Sequence, residues 1–438
     1  MNNFSKVVVV IMVLMLAITP TACTKDAPEI NLPLDNQPNE VFLDPPIVES
    51  LDYHIGIVTP GYDYSKDEIQ GAWALIAQYG RVESGGIIKH VILPDNFAEE
   101  KELVISSITG LVDDPLMKAI IVNQAILGTA AGFQKIRDAG RDDILLLAAM
   151  YYDYSMIAAM HYEDPNILSQ VADVIINSDE VTRGYYDILR AKNMGATTFV
   201  FMSFSRHMSI DALFRRRNIY EEACKDLGLE FVFETVPDPS GDLSLPYGPA
   251  SISRLSFGNM MSRFVEQYGK DTVFSITNTN LEEETIWCVA RSGAMFLNQS
   301  DISPTCGYPG AFELDFSAEA GDWPAIVKTI EEVVVAKKMG GRMGTWPYSF
   351  RYCNTTCLAQ FAMEMIEGKG TDTVTNDIIS AYQVFTPGCE WLAQVYVDSD
   401  TGQEISNYYL MAMDTYILGQ GFSGVFSEPF PKKYFSIK

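Results

Sequence analysis

The chain is poor in positive charge, which limits the partners that it can bind. Its 31 lysines and arginines stand against 57 aspartates and glutamates, so the formal net charge is −26. Nucleic acid is not an expected partner, because binding its phosphates requires clustered basic side chains. The compact basic run at residues 215–217 is interpreted as a solvated helix face, with a patch for docking a partner as the alternative.

The chain also lacks the common catalytic and nucleotide-binding motifs. Neither G-x-S-x-G nor H-E-x-x-H occurs in it. The lone Gly61 after the first predicted strand falls short of a glycine-rich phosphate loop, which needs several glycines between strand and helix. We therefore expect no cofactor, and an enzyme is a disfavoured interpretation.

Cysteine and histidine are too sparse to predict a metal centre. Beyond Cys23 the chain has six widely scattered cysteines, unlike a small disulfide-stapled domain. Cys353 and Cys357 would share one helix face, but structural zinc usually takes four thiolate or imidazole ligands. The chain's four histidines lie far from this pair in sequence, at His54, His90, His161 and His207. We expect no metal site, and buried thiols or an occasional disulfide instead.

The start of the chain has the pattern of a targeting segment. An uninterrupted apolar run at residues 7–18 leads to a small-residue region that ends at Cys23. Residues 1–23 resemble a bacterial lipoprotein signal in which Cys23 would be acylated, with Pro20 where leucine is usual; an ordinary secretory signal is the alternative. Residues 24–52 are predicted to be an extended tether. We expect an extracytoplasmic protein that a lipid anchors to the cell membrane, with no later transmembrane span.

Residues 53–80 contain the first strand and helix of the predicted fold. A short apolar run is broken at Pro60 and Gly61, and Ser65 with Glu68 is predicted to form a capping box for the next helix. The apolar positions of that helix recur at spacings of three and four, which indicates one buried stripe. The predicted stripe consists of Ile69, Trp73, Ile76 and Ala77.

The alternation of strand and helix recurs in two series of similar size. The strands are continuous apolar runs, so both faces of each sheet must be covered, and their spacing fits parallel βαβ units. The first series places strands at residues 53–58, 87–93, 118–122, 144–148 and 172–176. The second places them at residues 197–203, 231–236, 272–276 and 294–297. The predicted fold class is α/β, with two Rossmann-like lobes of parallel strands, a hinge between them and a first crossing near residues 177–182.

Residues 53 to about 370 resemble the type I periplasmic binding protein superfamily. The opening HIGIVTPGYDYSKDEIQGAW is similar to the first unit of its receptors. The later segment AIVKTIEEVVVAKKMGG is similar to the basic membrane protein group of nucleoside-binding lipoproteins. The chain also resembles an uncharacterised family of Gram-positive lipoproteins, sometimes labelled as regulators.

This resemblance implies two α/β lobes that close around a ligand by hinge motion. The implied boundaries are an N-terminal lobe at residues 53–180 with a return segment at about 340–375, and a C-terminal lobe at residues 181–339 with about 376–438. Further crossings between the lobes would fall near residues 298–304 and after residue 340.

Loops at the carboxyl ends of the strands are expected to contact the ligand, because they face the cleft from both lobes. Their aromatic, amide and carboxylate groups suit sugars, nucleosides or amino-acid-like molecules. The candidate contact residues are Tyr62, Tyr64, Asn123, Tyr151, Asp153, Ser203, Ser205, Arg206, His207, Asn278, Asn280, Asp301 and Trp346.

Each of these residues also has a structural interpretation. The tyrosines can be half-buried packing, and the asparagines can cap the helices that follow. Arg206 with His207 can hold a carboxylate or phosphate, or Arg206 can pair with an acidic neighbour.

Three functions are compatible with the sequence. The favoured one is an anchored receptor that encloses a small polar molecule and delivers it to an ABC-type importer. The second is a sensor that presents its ligand-bound form to a membrane receptor. The third, an enzyme on the same lobes, is weaker, since His207 near Ser203 and Ser205 is not a triad by spacing alone.

Overall fold

The computed structural model describes residues 51–93, 100–150, 163–239, 249–371, 373–398 and 401–438, without the side chains of residues 63, 64 and 249–255. These residues fall within one compact unit, Pro45–Lys438. Among them, no helix combines the length and the apolar character needed to cross a bilayer. The predicted signal and tether, including Cys23, lie outside the described residues.

Strands and helices alternate along most of this unit. The strands are β1 (His54–Thr59), β2 (Ile88–Ile92), β3 (Met117–Asn123), β4 (Leu145–Ala149), β5 (Val174–Ser178), β6 (Thr198–Ser203), β7 (Glu230–Thr235), β8 (Thr272–Ile276), β9 (Met295–Phe296), β10 (Gly344–Thr345), β11 (Trp391–Val397), β12 (Glu404–Met413), β13 (Tyr416–Ile417) and β14 (Gly421–Phe422). The α-helices are α1 (Tyr62–Tyr79), α2 (Lys101–Thr109), α3 (Thr129–Asp138), α4 (Pro165–Leu168), α5 (Glu180–Asn193), α6 (Ser205–Met208), α7 (Asp211–Leu227), α8 (Pro249–Tyr268), α9 (Glu282–Ser292), α10 (Tyr308–Phe312), α11 (Trp323–Ala336), α12 (Phe350–Ile366) and α13 (Val374–Phe385). Short 3-10 helices cover Val82–Ser84, Gly110–Asp113, Thr279–Leu281, Val425–Ser427 and Lys432–Ser436.

The first sheet has the strand order β11-β12-β5-β4-β3-β1-β2 within the described residues. Strands β1 to β5 and β12 are parallel, and β11 pairs antiparallel with β12. Side chains alternate between the two faces. Ile55 and Ile121 join the core that includes α12, whereas Val58 and Ile120 join the core that includes α2 and α3. Coverage of both faces explains why these strands are continuous apolar runs.

The second sheet has the parallel order β7-β6-β8-β9. Phe199 and Phe201 pack on Tyr220 of α7, with ring centroids 4.8 and 5.1 Å away. Val200 and Met202 join the core on the other face with residues of α8 and α9. The two lobes of parallel strands are thus confirmed, and each of the strands predicted from the two series lies within two residues of its predicted position.

A third sheet, β10-β13-β14, is small and antiparallel. Just before β10, Met343 bridges Phe296 of β9, and Phe296 N donates to Arg342 O at 3.1 Å. The residues just before β10 therefore pair with β9 of the second sheet, and β10 itself pairs with β13 of the third sheet.

Within the described residues, the chain passes between the two large sheets at three places. The first is between β5 and α5 at Asp179, inside the predicted range. The second leads from β10 to α12, which packs on α1 and β3 of the first lobe. The third leads from β12 to β13 through Asp414 and Thr415.

Two of the expectations about chain path differ from the structure. No crossing occurs in the described loop at residues 298–304, because α10 packs on α9 and Met343 rejoins β9. The tail divides between the lobes: β11 and β12 complete the first sheet, whereas Val425 and Tyr434 belong to the core of the second lobe. Short strands of mixed burial can pair with either open sheet edge, and local pattern does not choose between them.

The prediction of a capping box at Ser65 is wrong. Ser65 has non-helical dihedrals (φ −143°, ψ 42°), and its hydroxyl donates to Pro60 O at 2.6 Å instead of capping the helix. The kink changes the face that α1 buries. Glu68 turns inward at 2% exposure, and the predicted stripe is wrong at Ala77, which is exposed. The fully buried apolar positions of α1 are Ile69, Ala72 and Leu75.

Close packing of α1 on α12 depends on Gly71. A Cβ at this position would lie 2.9 Å from Thr355 Cβ and 3.1 Å from Tyr352 O. We expect Gly71→Ala to lower the free energy of unfolding by about 1 to 3 kcal/mol, because overpacking outweighs the better helix propensity of alanine. Urea unfolding followed by circular dichroism measures the change.

Gly110 offers a matched control for this substitution. Its backbone has helical dihedrals (φ −64°, ψ −15°), and no heavy atom lies within 4 Å of an added Cβ. Gly110→Ala should therefore be neutral or slightly stabilising. Equal unfolding midpoints for the two variants would contradict the packing described at Gly71.

Candidate functional site

Polar side chains from both lobes meet where the carboxyl ends of the two sheets face each other. They follow β1, β3, β8 and β9, and one comes from α12, which returns to the first lobe. We call this set the interlobe cluster. It consists of Asp67, Glu68, Asn123, Gln124, Asn278, Glu282, Asp301 and Arg351.

The first lobe contributes a buried acid, Glu68, that is hydrogen-bonded to the amide of Gln124. Glu68 Oε1 accepts a hydrogen bond from Gln124 Nε2 at 2.7 Å. Gln124 and Ala125 directly after β3 both have positive φ, 61° and 35°. Such backbone costs about 1 to 3 kcal/mol per residue and concentrates at functional sites. Beside them, Asn123 Nδ2 donates to Thr355 Oγ1 of α12 at 3.0 Å.

The second lobe also contributes an amide and an acid, Asn278 and Glu282, after the end of β8. Asn278 Oδ1 accepts from Asn280 N at 3.0 Å and so caps the short helix that follows. Glu282, at the first position of α9, is fully buried and accepts from Ser300 N. An acid is favourable at a helix N-terminus, but full burial of its side chain is not required for that role.

Contacts across the cleft join the two halves of the cluster. Ser303 Oγ, in the loop after β9, donates to Asp67 Oδ2 of α1 at 3.3 Å. Asp301 Oδ2 lies 3.8 Å from Arg351 Nη2 and accepts from Cys306 Sγ at 3.3 Å. The loop at residues 298–304 is therefore an interlobe contact, although it is not a crossing.

Burial dominates the electrostatics of these acids. It raises the pKa of Glu68 to about 7, although Arg351 and the bond from Gln124 oppose the shift. It likewise raises the pKa of Glu282 to about 7, against the opposing hydrogen bonds from Ser300. The pKa of Asp67 is also raised by burial. These acids thus lie in the interior without enough positive charge to keep them ionised at low cost.

Four buried carboxyl and amide atoms of the cluster have no hydrogen-bond partner among the described residues: Glu68 Oε2, Asn123 Oδ1, Asn278 Nδ2 and Glu282 Oε2. Their side chains are at most 2% exposed. A buried polar atom left unpaired costs about 1 to 3 kcal/mol, so such atoms are rare and call for an explanation. Both lobes contribute two of them.

A buried network around Asp187 holds the hinge. Asp187 Oδ1 accepts from Arg190 Nη1 at 3.3 Å and from Asn298 Nδ2 at 3.1 Å. Arg190 Nη2 donates to Asp414 Oδ1 at 3.1 Å in the third crossing. Asn298 Nδ2 also approaches Thr415 Oγ1 at 3.4 Å. One helix of the second lobe is thereby tied to the crossing that leaves β12.

Trp346 lies in this hinge and not on an open ligand platform. It is 3% exposed, its Nε1 donates to Gln299 O at 2.9 Å, and the Arg183 guanidinium lies 5.0 Å above its ring. Arg183 Nη2 in turn donates to Asn298 Oδ1 at 3.0 Å. A cavity of about 10 Å³ beside these side chains has room for about one water.

Arg206 and His207 follow β6 in the structure as predicted, but they do not act as a pair. Arg206 makes a two-pronged ion pair with Asp238, at 2.9 and 3.1 Å, which matches the structural alternative. His207 is fully buried, and its Nδ1 lies 3.0 Å from Thr277 Oγ1. Ser203 Oγ lies 2.8 Å from the same Thr277 hydroxyl.

The remaining candidates are divided. Asn123, Asn278 and Asp301 lie in the interlobe cluster. Tyr62 is 46% exposed and stacks on Trp73 with ring centroids 6.3 Å apart. The candidates Ser205 and Asn280 are both exposed. The side chain of Tyr64 is not described, and Tyr151 and Asp153 lie outside the described residues, so all three stay predictions.

The described part of the chain shows five buried thiols and one half-buried thiol, Cys306, and no disulfide among them. It also shows no group of three or more His, Cys, Asp or Glu side chains in a metal-binding arrangement.

Sequence reasoning missed Glu68, Glu282 and Arg351. Glu68 had been interpreted as a capping residue, and Glu282 begins a run of three glutamates that looks like an ordinary helix start. One local signal was present for each acid, since both lie in the first helix after a strand end.

Comparisons with known proteins place the chain in a family. A family model described as a protein of unknown function, DUF3798, matches residues 53–344. The chain belongs to this family. A second family model matches residues 355–437. An uncharacterised protein of Treponema pallidum (strain Nichols) is 38% identical over 192 residues, 43% of this chain and 82% of that protein. Another from the same organism is 30% identical over 233 residues, 53% of this chain and 98% of that protein.

Solved structures support the fold. A protein from Clostridium difficile 630, provisionally described as a transcriptional regulator, superposes with TM-score 0.72 at 22% identity and covers 84% of this chain and 99% of its own. A sugar ABC transporter protein from Actinomyces odontolyticus ATCC 17982 gives TM-score 0.44 at 10% identity and covers 74% and 86%. This DUF3798 protein has two lobes of parallel strands, as predicted, and shares its fold with the Clostridium difficile protein.

The pKa of Glu68 predicts how stability depends on pH. Burial places it at about 7 in the folded state, above the ordinary value of 4.5. The folded state then holds a proton that the unfolded chain releases, so the free energy of unfolding falls as pH rises from about 4.5 to about 7. We expect Glu68→Gln to be more stable than the unmodified protein above about pH 7, by on the order of 3 kcal/mol, and similar near pH 4.5.

Urea midpoints at several pH values measure this difference. Glu404→Gln, at an exposed position, makes the same change in charge and should follow the unmodified protein at every pH. If the Glu68→Gln curve also runs parallel to that of the unmodified protein, the buried-acid interpretation is wrong.

Proposed function

We propose that this protein is an extracytoplasmic solute-binding lipoprotein that encloses a small polar molecule between its lobes and delivers it to an ABC-type importer. The observation that carries the proposal is the set of four unpaired buried polar atoms in the interlobe cluster, two from each lobe. A ligand that entered between the lobes would supply their missing hydrogen bonds. The two-lobed fold supports the proposal, because hinge closure around a small molecule is a recurring use of such an architecture.

The hinge is consistent with closure as a rigid-body motion. The crossings are short, and side chains of α5 bond to the loop after β9 and to the third crossing. Each lobe has its own sheet, so bending at the crossings would move the two halves of the cluster without unfolding either sheet.

Binding can be detected with thermal unfolding of dialysed protein against sugars, nucleosides, amino acids and peptides. A ligand present at about 100 times its Kd adds about 2.7 kcal/mol to the free energy of unfolding and raises Tm by several degrees. Asn278→Ser should reduce this rise, because serine keeps a capping oxygen but loses the unpaired Nδ2. Asn193→Ser, the same change at an exposed position, should keep it.

Native mass spectrometry of the undialysed protein covers ligands outside the panel. If no compound raises Tm and no small molecule copurifies, the receptor proposal fails. Turnover of a bound compound that His207→Ala abolishes would replace it with the enzyme interpretation.

The lipid anchor is a separate part of the proposal. We expect the full chain in the membrane fraction of a bacterial host with lipoprotein processing, and Cys23→Ser in the soluble extracytoplasmic fraction. Thr24→Ser, which keeps the cysteine, is the control and should stay in the membrane fraction. A Cys23→Ser protein that remains in the membrane fraction would contradict acylation at this position.

A further inference from the structure

The unpaired atoms of the interlobe cluster are mostly hydrogen-bond acceptors. Glu68 Oε2, Glu282 Oε2 and Asn123 Oδ1 can accept, and Asn278 Nδ2 donates. A ligand that satisfies all four must therefore donate more hydrogen bonds than it accepts at this site. Hydroxyl and ammonium groups both can do so, and the charge of the site decides between them.

The cluster holds more acidic than basic groups. Four carboxyl groups gather there, Asp67 and Glu68 from the first lobe and Glu282 and Asp301 from the second. Arg351 lies near Asp67, Glu68 and Asp301 and is the nearby basic group of the first lobe.

The basic group of the second lobe is already engaged. Arg183 is near enough to oppose the shift of Glu282. Its guanidinium, however, donates to Asn298 Oδ1 at 3.0 Å, to Gln299 O at 2.8 Å and to Asp187 Oδ2 at 3.3 Å. It also covers the Trp346 ring.

Three ranges outside the described residues add no lysine or arginine to the sequence. They are residues 94–99, 151–162 and 240–248. The excess of carboxyl over guanidinium groups at the cluster is a property of the described residues.

We infer that the ligand is a small polar molecule carrying a protonated amine, whose ammonium hydrogen bonds are accepted by the carboxylates of Glu68 and Glu282. The inference rests on the proposed function and names the class of ligand for the same site. An ammonium supplies three donors and no acceptor, which matches the unpaired acceptors, and its charge offsets the excess of buried carboxylates. Because each lobe contributes one acid, the same cation attracts both lobes and favours closure.

Binding of such a ligand must release protons. Glu68 faces Asp67 on α1, Gln124 after β3 and Arg351 on α12. Glu282 faces Arg183 on α5 and, in the loop after β9, Ser300, Asp301 and Cys306. Burial raises the pKa of both glutamates to about 7. A cation beside them lowers it, so affinity should rise with pH by about tenfold per proton released between about pH 6 and pH 8.

Matched sets of probes separate charge from shape. Putrescine, 1,4-butanediol and succinate share a four-carbon chain, and glucosamine, glucose and gluconate share a six-carbon one. We expect an amine member to raise Tm and to bind in calorimetry, with its neutral and anionic counterparts inactive. Calorimetry in two buffers of different ionisation enthalpy should show proton release on binding.

Two conservative variants test the residues. Glu68→Gln and Glu282→Gln keep the shape and remove a buried charge, so both should fold, and each should weaken amine binding by about tenfold or more while flattening its pH dependence. Glu404→Gln, at an exposed position, is the matched control and should bind as the unmodified protein does.

The outcomes distinguish this inference from the proposed function. If a sugar, nucleoside or other uncharged compound binds as well as any amine, or if the copurifying molecule lacks an amine, the inference is overturned and the receptor function stands. If the six probes are inactive while the broad panel contains a binder without an amine, the amine inference is also overturned and the receptor function stands. If neither panel nor native mass spectrometry reveals a ligand, both fail.

Discussion

Buried charge at the hinge is the constraint on which the rest of this structure depends. Asp187 on α5 accepts from Arg190 and Asn298, and Arg190 continues to Asp414 at the third crossing. Breaking such a network by removing one partner is costly, because it leaves an unpaired charge in the interior. The network therefore joins α5 to the loop after β9 and to the third crossing, and so sets which loops of the two lobes face each other.

The interlobe cluster has the opposite character. Where the hinge pairs its charges, the cluster leaves Glu68 and Glu282 with one unpaired oxygen each and raises the pKa of both. Strained backbone at Gln124 lies beside them. Unpaired polar atoms and strain both oppose folding, and proteins keep such features mainly where function requires them. The contrast between ion-paired charges at the hinge and unpaired carboxyl and amide atoms in the cleft supports a ligand site between the lobes.

Much of the fold could be predicted because its signals are local. The strands β1, β3, β6 and β8 are continuous runs of apolar residues, and only a sheet covered on both faces buries such a run completely. The errors fall where a local pattern fits two outcomes. Ser65 and Glu68 satisfy the spacing of a capping box, yet the Ser65 hydroxyl bonds to Pro60 O and the acid turns inward. The sequence allows both a contact role and a structural role for Asn123 and Asn278. In the structure one side-chain atom of each makes a hydrogen bond within the protein, and the other has no partner among the described residues.

By itself the sequence determined two series of parallel strands, their boundaries and the strand ends where polar residues gather, because periodicity and burial act over a few residues. Tertiary structure alone decided that β11 and β12 join the first sheet, that the third crossing runs through Asp414, and that acids from α1 and α9 share one interior. These depend on which edge is open and which loops the hinge brings together, and such contacts join residues more than two hundred positions apart, as Arg190 and Asp414 do.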